Sequence, residues 1–208
     1  MQFESADPSV VRSIRQRCLL NEWLRAAGKQ RPMPLPGDFQ PEQVGEELVD
    51  MMQYEVVGQG DGARFLITHE GARLASTYGN DHIEPAHRTN RYLDEAIGPE
   101  RYASVVAHYR TCLARQRPTY SISTVRDVDG KDVCYERLLM PLGDGNAVRQ
   151  IVGSFKSISI EGRFTIGNLM GLRPQATPVV WLSAVIDREL VAATPAHTSP
   201  SVEIIELN

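Results

Sequence analysis

The chain predicts an α+β domain, and three features of its patterning point there. Residues 51–67 hold two segments that alternate apolar and polar side chains around a glycine-rich turn. Residues 98–117 carry one long apolar stripe at helical spacing, and residues 119–160 hold three more strand-like segments separated by short turns. Runs of strands with helices gathered between them bury their apolar surface as an antiparallel sheet with helices on one face. The expectation is a five-stranded antiparallel sheet within residues 51–160. Residues 1–50 precede it as an N-terminal helix, a proline-rich linker and a short helix, and 161–208 follow as a C-terminal extension.

Each element has a local reason. Val11, Ile14, Cys18, Leu19 and Trp23 share one helical face, with Asp7 a candidate N-cap before Pro8 and Gly28 a stop. Arg31-Pro-Met-Pro-Leu-Pro-Gly37 is too rich in proline for a helix and reads as an extended linker. A short helix from Pro41 presents Val44 and Leu48. Met52, Tyr54 and Val56 alternate, Gly58-Gln-Gly-Asp-Gly62 turns the chain, and Phe65 and Ile67 alternate again, which makes a hairpin. Residues 69–78 read as a short helix stopped at Gly79-Asn80, and 81–91, broken by Pro85, as a polar loop. Gly98-Pro99 opens the long helix, whose stripe is Tyr102, Val105, Val106, Tyr109, Cys112 and Leu113, and Arg117-Pro118 closes it. Asp127-Val-Asp-Gly130 and Gly143-Asp-Gly-Asn146 separate strands at 119–126, 133–141 and 148–160. The apolar island Val179-Val-Trp-Leu-Ser-Ala-Val-Ile186 is expected to pack on the protein's own core, the alternative being a strand added to a sheet edge.

Composition excludes several classes. With 42% hydrophobic and 23% charged residues, the 208-residue chain is neither disordered nor fibrous. Its 22 Lys+Arg against 26 Asp+Glu give a net charge of −4, without the basic surplus of a nucleic-acid binder. No apolar run approaches the ~20 residues that cross a bilayer. The opening Met1-Gln-Phe-Glu-Ser-Ala-Asp7 lacks the charged and apolar regions of a signal peptide. Cys18, Cys112 and Cys134 are too scattered for a disulfide framework or a zinc pair. These features lead to the expectation of a cytoplasmic protein with neither nucleic acid nor membrane as partner.

Several segments together resemble one family. Leu20-Asn-Glu-Trp23 followed by Arg31-Pro-Met-Pro-Leu-Pro-Gly-Asp-Phe39 is similar to the opening of the bacterial single-domain PAS family. Arg64-Phe-Leu-Ile67, Gly71-Ala-Arg-Leu74, Tyr78-Gly-Asn-Asp81, Arg91-Tyr-Leu-Asp-Glu95 and Tyr135-Glu-Arg-Leu-Leu-Met-Pro-Leu142 resemble its later signatures in order. The matches run from about residue 19 to 157; the loop at 81–89 is enlarged relative to the family, and the segment after Ile160 has no counterpart in it. The resemblance implies a sensor or interaction module whose five-stranded sheet cups a small cavity beneath the helices. It names no cofactor, because a shared fold does not transfer a site.

Candidate chemistry narrows to the interior. Asp81-His-Ile-Glu-Pro-Ala-His87 offers metal-ligating side chains, but Pro85 prevents two histidines from sharing a regular helical face, and a solvated loop is the expectation. A haem would need an axial histidine, and His108 lies at the edge of its helix's stripe while His69 opens a helix. No cysteinyl flavin segment and no Gly-x-Ser-x-Gly is present. Tyr78, Tyr92, Tyr102, Val106, Tyr109 and Tyr135 lie in elements that would wall a cavity, and buried tyrosines pair an apolar ring with a hydroxyl needing a partner. Arg137 either stays half exposed on its strand or reaches the carboxylate of a ligand.

The functional expectation is a non-enzymatic sensory or regulatory protein that works through an unidentified small molecule, a protein partner, or both. Val11, Ile14, Cys18, Leu19 and Trp23 form the partner-binding stripe, meeting a second copy across a two-fold axis in a homodimer. Removing residues 1–28 is then expected to leave a folded monomeric domain. The rival readings are an adaptor with a filled core, a haem sensor, and a small isomerase-like enzyme using Asp81 or Glu84.

Overall fold

The computed structural model describes residues 2–77, 88–126, 132–159 and 178–193. Its strands are β1 Glu4–Ala6, β2 Met51–Val57, β3 Arg64–Glu70, β4 Thr119–Arg126, β5 Asp132–Gly143, β6 Val148–Ser159 and β7 Val179–Ile186. Its helices are α1 Ile14–Ala27, α2 Ala72–Thr77, α3 Leu93–Ile97 and α4 Pro99–Arg115, joined by a 3₁₀ segment over Pro41–Asp50. The fold is α+β.

The sheet has seven strands in the order β1-β7-β4-β5-β6-β2-β3, which corrects the expected five. The apolar island explains the difference. It forms β7 and pairs antiparallel with β4, Thr119 opposite Val185 and Ser121 opposite Ser183. That pairing covers the row of backbone donors and acceptors that β4 would otherwise leave at an open edge. The short β1 then adds parallel to β7, Glu4 opposite Ala184, so the sheet is mixed. The five strands from β2 to β6 are antiparallel throughout, as expected.

Local chemistry places the ends. Pro99 occupies the first turn of α4, and Gln116 ends the helix in the left-handed region at φ 52°. β3 extends through His69 and Glu70, so helix α2 starts at Ala72 and not at 69. Gly71 marks that change, because a Cβ there would lie 2.4 Å from the Leu48 carbonyl oxygen. The N-cap of α1 is Ser13, whereas Asp7 caps a separate 3₁₀ turn, Pro8–Val10, by accepting the Ser9 N–H at 2.7 Å. Gly28 closes α1 at φ 63°, as its position suggested.

Helices cover both faces at the centre of the sheet, while Val179, Val180 and Trp181 of β7 stay exposed. Side chains alternate along a strand, so Glu136 and Leu138 of β5 face α1 while Tyr135 and Arg137 face α4. α1 lies flat on its face, with Leu19 and Leu20 fully buried and Trp23 2% exposed. The Trp23 indole N–H donates to the Pro141 carbonyl at 2.8 Å. Val11, Leu19 and Trp23 of the stripe are thus buried against the protein's own sheet, and residues 1–28 contribute to the main core. Removing residues 1–28 would therefore take Val11, Leu19, Leu20, Trp23 and Ala27 out of that core.

Trp23→Ala is expected to lower the unfolding free energy by about 3–5 kcal/mol, the range for a large aromatic deleted from a core. Ile14→Ala, on the 70% exposed position of the same helix, is expected to stay within about 0.5 kcal/mol. Urea unfolding of the two variants checks the difference; equal losses would contradict the packing described.

Candidate functional site

One cross-strand row stands out on the α4 face. Ser183 of β7 pairs with Ser121 of β4, Ser121 with Arg137 of β5, and Arg137 with Phe155 of β6. Directly opposed residues in antiparallel strands hold their Cβ atoms roughly 5 Å apart on the same face. Ser121 is 1% and Arg137 6% exposed. The Oγ atoms of Ser121 and Ser183 are buried and have no hydrogen-bond partner among the described residues. A buried hydroxyl left unpaired costs about 1–3 kcal/mol, so the row concentrates unmet donor capacity beside a buried cation. The Arg137 guanidinium carbon sits 5.6 Å from the Tyr135 ring centroid and 5.9 Å from that of Phe155.

α4 closes over this row with His108, Tyr109 and Cys112. Tyr109 donates its hydroxyl proton to the Tyr54 hydroxyl at 2.9 Å, and its ring packs 5.1 Å from both Tyr54 and Phe65. His108 is 2% exposed, with Phe3 edge-on at 5.4 Å. Burial, followed by the charge of Arg137, pushes its imidazole pKa down to about 2. Burial also raises Tyr109, with Arg137 opposing, and raises the Cys112 thiol. Beside Arg137, the His108 imidazole and the Tyr109 phenol are thus both held neutral.

The expected residues divide. Tyr109, Tyr135 and Arg137 come together here; Arg137 is buried and not half exposed on its strand. Tyr102 and Val106 are half-buried members of the α4 packing. Tyr92 faces elsewhere, its ring stacked under the Arg64 guanidinium at 3.6 Å, where Arg64 also pairs with Asp94 and Glu95. Tyr78 and the 81–87 segment lie outside the described residues. Among the described residues, no group of three or more His, Cys, Asp or Glu could hold a metal ion. His108 is buried in the helix contact and not at its edge, and the structure adds Ser121, Ser183 and Tyr54 to the expected residues. A hydroxyl at every other position, Thr119, Ser121 and Ser123, is visible in the sequence, but the face that it occupies is set by the register.

The other face of the same strands holds α1 by polar contacts. The Glu136 carboxylate, 2% exposed, accepts from the Tyr120 hydroxyl at 2.7 Å and from the Ser13 N–H at 3.2 Å. Gln16 donates its side-chain amide to the Ser154 carbonyl at 3.0 Å. Nearby, Lys156 bridges the buried carboxylates of Glu47 and Asp50 at 2.9 and 2.5 Å, and Arg73 pairs with Asp50 at 2.8 Å. Of the partner-binding stripe, Val11, Leu19 and Trp23 are buried under this arrangement, and only Ile14 and Cys18 are exposed. While α1 is docked, the stripe as a whole does not offer a surface to a second molecule. No helix among the described residues is long and apolar enough to cross a membrane. No protein-family model and no curated protein matches the chain.

A pH dependence follows from His108. The folded imidazole stays neutral, while the unfolded one takes a proton below about pH 6.5. Its contribution is thus intact above that pH and lost as pH falls, by up to about 1.4 kcal/mol per pH unit. Glu70, raised by burial, acts in the opposite sense, its contribution being lost as pH rises through its folded pKa. His108→Asn is expected to flatten the fall in stability between pH 6.5 and 4.5. Parallel pH profiles for variant and parent would show that the imidazole is not held neutral.

Proposed function

We propose that the protein is a non-enzymatic, cytoplasmic regulatory domain of the PAS type, which takes a small molecule beneath α4 and signals through the placement of α1. The observation that carries this reading is the pair of opposed rows on β4 and β5. Ser121 and Arg137 lie under α4, and their immediate neighbours Tyr120 and Glu136 hold the start of α1. The antiparallel run from β2 to β6 with α4 laid across it agrees with the arrangement that the family resemblance implies.

The mechanism is a population shift. A ligand moves a two-state equilibrium only by binding one state better than the other. Adjustment of β4 and β5 to seat a molecule at Arg137 also moves the Glu136 carboxylate and the Tyr120 hydroxyl on the reverse side. Those groups bond the Ser13 and Arg12 N–H groups, so the first turn of α1 feels the change. Release of that turn uncovers Val11, Leu19 and Trp23, and the protein partner, or a second copy of the chain, reads that apolar stripe. The partner-binding role of these residues thus belongs to the released state.

Native mass spectrometry of freshly purified protein is expected to show a retained small molecule. Trypsin should cut after Arg12, Arg15 and Arg17, all exposed, at different rates in the retained-ligand and stripped forms. A mass equal to the polypeptide alone, with cleavage unchanged by stripping, would favour the adaptor with a filled core.

A further inference from the structure

The two edges of the sheet are guarded unequally. At β3 the outer side is closed by the bridge of Leu66 to Tyr92 and by the hydrogen bonds of Ile67 with Asn90 and Arg91. At the other end β1 covers β7 only from Ala184 to Ile186. Beside Val179–Ser183, on the side away from β4, no strand lies among the described residues. Sheet edges are kept from pairing by charged side chains, proline, bulges or a covering segment. Val179-Val-Trp-Leu-Ser183 carries neither a charge nor a proline, and its two valines and its tryptophan are exposed. A bulge is present, since Trp181 is the extra residue where the register of β7 with β4 shifts. That bulge re-aims a large ring outward and does not hide it. The indole N–H donates to the Thr124 hydroxyl at 2.7 Å, so the ring is a fixed apolar anchor whose one polar atom is already bonded.

The open stretch is symmetric about that ring. It is bounded on one side by Pro178, which has no N–H to offer, and on the other by Ala184, where β1 takes over. An antiparallel two-fold pairing therefore lays it on itself. Val179 of one copy comes opposite Ser183 of the other, Val180 opposite Leu182, and the two Trp181 residues meet at the axis. Pro178 of each copy then falls opposite Ala184 of the other, so pairing stops on both sides where β1 begins. Contacts of this self-complementary kind close as two-fold dimers. The segment is uncharged, so no like charges are set directly opposite each other. At 72% exposure the Trp181 ring brings roughly 110–180 Å² per copy, taking ~150–250 Å² for an aromatic side chain. With two valines and a short ladder added, the contact stays under the ~1,200 Å² of a standard interface, which makes the dimer a reversible one. We infer that the outer edge of β7, Val179–Ser183, is the docking surface for a second copy of this chain, paired antiparallel about Trp181. This interface is separate from the α1 stripe and needs no molecule beneath α4.

Sedimentation velocity of the full chain between about 2 and 500 μM, the range in which a small interface dissociates, tests the proposal. Amide hydrogen exchange is followed at both ends of that range. The expected result is a monomer that becomes a dimer as concentration rises, with added protection within Val179–Ser183 and none on α1. Trp181→Ala should weaken the dimer at least about 10-fold, as the loss of a central aromatic anchor does. Val180→Lys, which puts like charges on both edges, should leave a monomer over the whole range. Both positions are exposed, so both variants should unfold at a temperature close to that of the parent. Ile14→Ala, exposed on α1, should dimerise as the parent does. A monomer at every concentration overturns the proposal. Full protection of Val179–Ser183 in that monomer assigns the edge to another segment of the chain, and free exchange there means that no copy is seated on it. A dimer unchanged by Trp181→Ala and Val180→Lys, or one whose added protection falls on α1, overturns it as well. None of these outcomes bears on the molecule proposed beneath α4.

Discussion

Consecutive residues of a β-strand point to opposite faces of the sheet, and β5 applies that rule to two charges in its buried middle. Glu136 faces α1 and Arg137 faces α4, with 2% and 6% exposure. Placing a charge in a protein interior is unfavourable by several kcal/mol unless hydrogen bonds or an opposite charge compensate. Each residue therefore needs its own environment on its own side. Glu136 has one, built from the Tyr120 hydroxyl and the backbone at the start of α1. Arg137 stands in a row of hydroxyls and aromatic rings under α4. A one-residue slip of register would exchange the two faces and take each charge away from its present neighbours.

Segments from both ends of the described chain are tied to this centre. β1 and β7 extend the sheet beyond β4, and α1 bonds to β5 and β6 through Trp23 and Gln16. The Lys156 bridge to Glu47 and Asp50 fastens the 3₁₀ segment before β2 onto β6. Breaking a buried pair of this kind typically costs about 3–5 kcal/mol, because the remaining charge is stranded. The docked position of α1 is accordingly a specific state held by named contacts, which is what a switchable element requires.

Much of the central sheet could be read directly from residue order. The hairpin through Gly58–Gly62, the stripe of α4 and the turns at 143–146 are local signals, decided by residues close in sequence. The pairings of β2 with β6, of β7 with β4 and of β1 with β7 join residues more than fifty positions apart, which no local period encodes. The apolar island announced that it had to be covered, and only the edge of β4 decided how. The helical stripe of Val11, Leu19 and Trp23 was equally plain; whether it met the sheet or a second molecule was a question of tertiary packing. At the site, aromatic residues drew attention because rings are conspicuous in a sequence. Ser121 and Ser183 did not, since a serine gains meaning only from the face on which the register places it. Tyr92 illustrates the converse, a conspicuous ring whose neighbour Arg64 holds it in a surface ion-pair cluster.

Amide hydrogen exchange on a Glu136→Met variant tests the division of faces most directly. Methionine keeps the apolar bulk but leaves the Tyr120 hydroxyl and the Ser13 N–H without their acceptor. The account predicts faster exchange confined to the first turn of α1 and its immediate supports, with α4 protected as in the parent. Faster exchange along α4, with α1 unaffected, would contradict it.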